Sequence, residues 1–258
     1  MTEAVSPDDL ALAQALADAA GAVIRPYFRA QVPVEIKPDA SPVTLADRAA
    51  EAAMRRLVEA ARPDDGIIGE EYGPVRAGAR RQWVFDPIDG TRSFIAGRPL
   101  FGTLIALLDD GVPVLGIIDQ CIAGDRWAGA IGQPTTLNGV AVRTRDCATL
   151  GAAHLATTSP YLFDAAERVA FERLHAGARD TLLGGDCHNY ALLATGCLDL
   201  VVETGLKLYD WAALVPVVAG AGGVICDWRG AALRQGSDGR VIAAASTALA
   251  REVVALVA

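Results

Sequence analysis

Trp83-Val84-Phe85-Asp86-Pro87-Ile88-Asp89-Gly90-Thr91 decides how the rest of the chain is read. An apolar strand runs into two carboxylates, Asp86 and Asp89, three residues apart on a turn shaped by Pro87 and Gly90. Two Asp side chains with a backbone carbonyl between them, such as that of Ile88, supply the hard oxygen ligands that Mg²⁺ selects. Gly90-Thr91-Arg92-Ser93-Phe94 reads as a helix opening, whose free N–H groups would form an anion site beside the metal. Asp-Pro and Asp-Gly are also common surface-turn dipeptides, so the metal reading needs support from elsewhere in the chain.

Other acids supply it. Glu70 follows a glycine at the end of an apolar strand over 66–69. Asp47 lies on a helix over 44–61 that carries Leu45, Ala49, Ala53, Leu57 and Val58 on one face. Asp210, in Leu208-Tyr209-Asp210-Trp211, stands just before an apolar helix over 210–220. Each has an ordinary alternative: a helix cap for Asp210, a solvated strand end for Glu70, an exposed helix position for Asp47.

Upstream, Ser6-Pro7-Asp8-Asp9 starts a first helix, with Leu10, Leu12, Leu16, Ala20 and Val23 at helical spacing and Pro26 as its kink or end. Residues 31–43 read as a loop. Downstream, apolar runs over 103–108 and 112–118 flank Asp109-Asp110-Gly111, a hairpin signal, and strands follow over 126–131 and 136–143. This half is an antiparallel meander beneath two helices. Strands over 152–157, 180–183, 199–203, 223–228 and 241–245 then alternate with helices over 164–176, 187–196 and 210–220, and a last helix closes a layered α/β unit. The boundary falls near residue 145, dividing an α+β half (1–145) from an α/β half (146–258).

Composition narrows the function. The 258 residues are 52% hydrophobic and 21% charged, enough to bury a substantial core. The net charge is −8, the only lysines are Lys37 and Lys207, and the arginines are scattered. A nucleic-acid surface needs a basic stripe, and none is visible. Residues 1–10 carry acids and no basic segment, so no secretory signal is expected. The longest uncharged stretch, Trp211 to Cys226, is broken by Pro216 and falls short of the roughly 20 apolar residues of a membrane span. Five widely spaced cysteines without Cys-x-x-Cys read as reduced thiols. A soluble cytoplasmic protein is expected.

With these residues in view, the chain resembles the inositol monophosphatase superfamily of Mg²⁺-dependent, lithium-sensitive phosphatases over nearly its whole length. Gly69-Glu70-Glu71 is similar to that family's Gly-Glu-Glu motif, and Asp86-Pro87-Ile88-Asp89-Gly90-Thr91 to its central signature. Tyr209-Asp210 followed by Ala221-Gly222-Gly223 is similar to its C-terminal Trp-Asp and Ala-Gly-Gly motif. The resemblance implies a layered αβαβα sandwich and a homodimer. It also implies that Glu70, Asp86, the Ile88 carbonyl, Asp89 and Asp210 bind two or three Mg²⁺. Asp47 and Thr91 would activate the attacking water, and Gly90 and Thr91 would offer N–H groups to the phosphate.

The chemistry agrees. A phosphate dianion does not enter a nest of acids unless cations come first, and with so little lysine those cations are metal ions. Phosphoryl transfer needs positioning and charge stabilisation more than a nucleophilic side chain. None is evident: Gly-x-Ser-x-Gly and the Walker lysine motif are absent.

Within the superfamily, the stretches over 89–99 and 101–105, Gly116-Ile117-Ile118-Asp119-Gln120 and Gly184-Gly185-Asp186-Cys187-His188-Asn189 are similar to bacterial histidinol-phosphate phosphatases. L-Histidinol phosphate carries an ammonium group, which Asp186, beside Gly185, could pair with Glu203 to hold. Asp186 as a helix N-cap and Glu203 as a solvated strand end are the plainer alternatives. A neutral substrate, inositol 1-phosphate or another small sugar phosphate, is the nearest rival; a catalytically silent binding relative is the distant one. His188 stands where the subgroup carries Tyr, and a His on a helix is more often structural than catalytic.

Overall fold

The computed structural model describes residues 5–30, 33–36 and 42–257. Helix α1 (Pro7–Ile24) opens as its sequence requires: Ser6 accepts from Asp9 N while Asp9 accepts from Ser6 N, a reciprocal capping box. Residues 33–44 are not all loop. Short strands β1 (Val34–Ile36) and β2 (Pro42–Thr44) pair antiparallel; residues 31, 32 and 37–41 of that stretch lie outside the described residues, as do residues 1–4 of the N-terminal segment read above. Thr44 then caps α2 (Leu45–Ala61). The buried face of α2 is Ala46, Ala50, Ala53, Met54 and Val58, and Leu45 is exposed. Of the expected face Ala53 and Val58 are buried and Leu57 packs against the core, while the helix also turns two acids, Asp47 and Glu51, inward.

The central sheet runs β10-β9-β8-β7-β6-β5-β3-β4. Its strands are β3 (Gly66–Gly69), β4 (Gly73–Val75), β5 (Arg81–Asp89), β6 (Gly102–Asp109), β7 (Val112–Gln120), β8 (Asp125–Ala130), β9 (Thr136–Leu137) and β10 (Val140–Ala141), with a short helix α3 (Thr91–Ile95) after β5. It is not a pure meander, since β3 runs parallel to β5. The single strand expected over 136–143 is a hairpin around Asn138-Gly139, both at positive φ, and the dipeptide was the available signal. Strand β6 is buried on both faces: Leu104, Ala106 and Leu108 point to one core, Ile105 and Leu107 to the other.

The second sheet, β12-β11-β13-β15-β14, contains β11 (His154–Thr157), β12 (Asp180–Leu183), β13 (Leu200–Glu203), β14 (Val224–Cys226) and β15 (Val241–Ala244). Helices α4 (Ala165–Gly177), α5 (Cys187–Ala194), α6 (Leu208–Trp211), α7 (Leu214–Gly220) and α8 (Thr247–Val257) accompany it. The one helix expected over 210–220 is two, because Pro216 has no N–H to give the carbonyl of Ala212. Helices α1 and α2 cover the outer face of the central sheet, α5 and α7 fill the space between the sheets, and α4 and α8 cover the far side. The result is a five-layer αβαβα sandwich.

Candidate active site

The two aspartates of β5 sit inside the strand rather than on a turn. Asp86 pairs with Leu104 and Asp89 with Gly102, so three steps on β5 match two on β6. That extra residue is a β-bulge, and it tolerates Pro87 within the sheet. Regular alternation would send residues 86 and 89 to opposite faces. With the bulge, Val84 faces the core between the sheets, Ile88 faces α1 and α2, and Asp89 returns to the side of α5. A surface turn is excluded, because Asp86 is only 2% exposed. Gly90, at φ +88, breaks the strand and opens α3.

Asp86, Asp89 and Asp210 each place a carboxylate oxygen within 4.8 Å of the others. The charge of Glu70 also bears on Asp86. Glu70 reaches the group from the end of β3, where its N–H donates to the Phe85 carbonyl at 3.2 Å. Asp210 sits at the N-terminus of α6 and accepts from Lys207 N at 2.6 Å, so it is a cap and a member of the acid group at once. Backbone donors fix the aspartates: Ile88 N to Asp86 (3.0 Å) and Cys187 N to Asp89 (2.6 Å).

Asp47 is fully buried, not exposed. One of its oxygens accepts from Thr44 N (2.8 Å) and Thr44 Oγ1 (2.6 Å), and the other, Oδ1, has no partner. The Thr91 hydroxyl donates to the Ile88 carbonyl at 3.0 Å, and no hydrogen bond joins Thr91 to Asp47 among the described residues.

The acids raise one another. Burial, then the charges of Glu70, Asp89 and Asp210, push Asp86 well above the usual carboxylate range. Burial and the neighbours Asp186 and Asp210 do the same to Asp89. Asp210 is pushed up to about 7, chiefly by burial. Asp47 is raised too, by burial and by Glu70. Converging hard oxygens and their mutual repulsion fit a site for divalent cations, which would offset the repulsion.

Beside the acids lies a cavity lined by Asp89, Asp186, Asp210, Glu203, Tyr190 and Thr158, among others. Asp186 occupies the N-cap position of α5 without making a cap bond. Its backbone is at φ 47, ψ −137, an uncommon conformation for a residue with a side chain, and its Oδ2 accepts from Ser93 Oγ at 3.2 Å. Gly184 and Gly185, at φ +88 and +114, swing the chain to that point. Glu203 is buried, not solvated. It accepts from Thr158 N (2.9 Å), Thr158 Oγ1 (2.5 Å) and Tyr190 OH (3.1 Å), and burial lifts it to about 7. Ser93, Thr158 and Tyr190 escaped the sequence reading, since isolated hydroxyls carry no spacing signal. His188 packs edge-on against Trp127.

These shifts set a pH dependence. In protein stripped of metal with EDTA, Asp210 and Glu203 charge near pH 7 when folded but near pH 4 when unfolded. Their contribution to stability is full below about pH 4 and is lost as pH rises through about 7. The melting temperature in EDTA should fall between pH 5 and 8, and saturating Mg²⁺ should shrink the fall. A melting temperature that rises across this window contradicts the repulsive nest.

A profile of the inositol monophosphatase family matches residues 8–258. The bifunctional phosphatase IMPL2 of Arabidopsis thaliana is 52% identical over 85% of this chain, which spans 64% of that plant protein. A histidinol-phosphatase of Chlorobaculum parvum is 37% identical over 96% of both chains. The solved structure of an inositol monophosphatase from Zymomonas mobilis superposes with a TM-score of 0.91 at 54% identity, covering 98% of this chain and 99% of that one. The family profile and the histidinol-phosphatase relatives make this a phosphoric monoester hydrolase. The chain belongs to the inositol monophosphatase family.

Proposed function

We propose that this protein is a Mg²⁺-dependent phosphomonoesterase that hydrolyses L-histidinol phosphate to L-histidinol and phosphate. The observation that carries the substrate is Asp186, an acid outside the compact carboxylate group that lines the same cavity as Asp89 and Asp210. A cationic leaving group pairs with such an acid, while a neutral polyol gains less from it. Glu203 shares the wall, but Thr158 and Tyr190 already occupy both of its oxygens. The direct contact with the ammonium therefore falls to Asp186, with Glu203 bracing the pocket.

Glu70, Asp86, the Ile88 carbonyl, Asp89 and Asp210 would hold two or three Mg²⁺. Bound there, the ions would acidify the attacking water and neutralise the phosphate and its leaving oxygen. Asp47 offers its unpartnered Oδ1 to that water's proton. The Thr91 hydroxyl, its own proton directed to Ile88, keeps lone pairs to orient the same water. Gly90 and Thr91 present backbone N–H groups to the phosphate oxygens. On this reading residues 1–145 carry most metal ligands, and residues 146–258 close the active site and contribute substrate contacts. Likeness to the family supports a homodimer, working in the cytoplasm in histidine biosynthesis. No helix among the described residues is long and apolar enough to cross a membrane.

The Zymomonas relative, named an inositol monophosphatase, supports inositol 1-phosphate as the competing substrate. Phosphate release in Mg²⁺ from L-histidinol phosphate and from inositol 1-phosphate, with an EDTA control, tests both. A preference of ten-fold or more for histidinol phosphate is expected, at about 1.4 kcal/mol per factor of ten. Preference for inositol 1-phosphate overturns the substrate, and release unaffected by EDTA overturns the metal mechanism.

A further inference from the structure

Glu51 is a fully buried carboxylate on α2, and the mechanism above does not use it. It lies one helical turn after Asp47 and one before Arg55, so the three share a face of the helix. Its Oε2 accepts from Glu71 N at 2.7 Å, and its Oε1 from Tyr72 N at 3.2 Å and Arg55 Nε at 2.7 Å. Arg55 donates in turn to the Gly73 carbonyl, and its guanidinium lies 5.8 Å from the centre of the Tyr72 ring. Residues 70–72 form the turn between β3 and β4, and the first of them is Glu70.

Gly69 completes the arrangement. A Cβ there would overlap the Glu51 carboxylate, so only glycine lets the helix acid reach the turn. A buried carboxylate is costly to desolvate, and packing alone would be served better by an apolar side chain. Here three donors compensate it: two are amides of the turn itself, and the third, Arg55, is bonded in turn to Gly73 where β4 begins.

We infer that Glu51 is a positioning residue for metal binding: through the amides of Glu71 and Tyr72 it fixes the turn that aims Glu70 at Asp86. The inference rests on Glu70 being a metal ligand, as proposed above. Partners that orient a metal ligand typically change affinity by about 10–100-fold when removed. Glu51→Gln puts an amide N–H against a donor, and Gly69→Ala displaces the carboxylate while leaving it in the chain.

The test titrates Mn²⁺ into the full-length protein and follows binding by electron paramagnetic resonance, with Glu70→Gln as the reference. The Mg²⁺ dependence of phosphate release and the melting temperature in EDTA are measured alongside. Both Glu51→Gln and Gly69→Ala should weaken Mn²⁺ binding by about 10–100-fold. They should also raise the Mg²⁺ needed for half-maximal rate, with kcat recovering to within a few-fold at saturation. Parent-like Mn²⁺ binding in both variants, alongside weakened binding in Glu70→Gln, overturns the inference and spares the metal assignment. Unchanged binding in Glu70→Gln removes Glu70 from the site and the inference with it. Loss of the fold in both variants assigns Glu51 to stability alone and also overturns it.

Discussion

Asp89→Asn is expected to lower kcat/KM at ordinary Mg²⁺ by on the order of 10²–10³-fold while making the metal-free protein more stable. The first effect follows from removing a full negative charge from the acid group, with about 3–4 kcal/mol of metal-borne charge stabilisation lost in the transition state. The second follows from repulsion: Asp89 is held far above its usual range by burial and by Asp186 and Asp210, and an amide feels none of that. About 1 kcal/mol of relief would raise the melting temperature of a chain this size by roughly 2–4 °C. Activity and melting in EDTA therefore move in opposite directions. The same pair of measurements on Asp86→Asn should agree in sign. Near-parent turnover in either variant would break the metal assignment, and a fall in both quantities would mean that the substitution simply damages the fold.

The other large effect concerns selectivity. Asp186→Ala should reduce turnover of L-histidinol phosphate by about 10–100-fold, the value of a charge-assisted contact of about 1.5–3 kcal/mol. Turnover of a neutral phosphate ester should change by only a few-fold. Asp186 touches Ser93 and not the α5 amides, so its removal deprives the helix of no cap. Steady-state kinetics on both substrates decide the matter. Equal losses on the two would make Asp186 a scaffold residue and return the substrate question to its starting point.

What the sequence disclosed and what it hid divide along a physical line. Asp86, Asp89, Glu70 and Asp210 are legible because acids at the ends of apolar runs are unusual and their spacing repeats a known signature. The layer order came with the family resemblance; strand β6 itself is legible because both of its faces are covered, so it reads as one continuous apolar run. The bulge is invisible, since Pro87 and Gly90 point equally well to a turn. The burial of Asp47 and Glu51 is hidden because a helix that turns acids inward violates the apolar periodicity used to find its face. Glu203 looks like a strand end, and only the fold brings Thr158 and Tyr190 to it.

The bulge has a further consequence, for the kinds of genetic change the site withstands. By absorbing one residue between Asp86 and Asp89, the bulge lets two acids three positions apart serve one side of the strand. An in-frame insertion of one residue between Asp86 and Asp89 would keep every acid in the gene yet add one step of alternation beyond what the bulge absorbs. With the bulge otherwise unchanged, residue 89 would then be carried toward the layer of α1 and α2 and away from Asp86 and Asp210. Chain length between the two aspartates is thus as much a determinant of this centre as the side chains themselves, and variants that gain one codon there belong to a different chemistry.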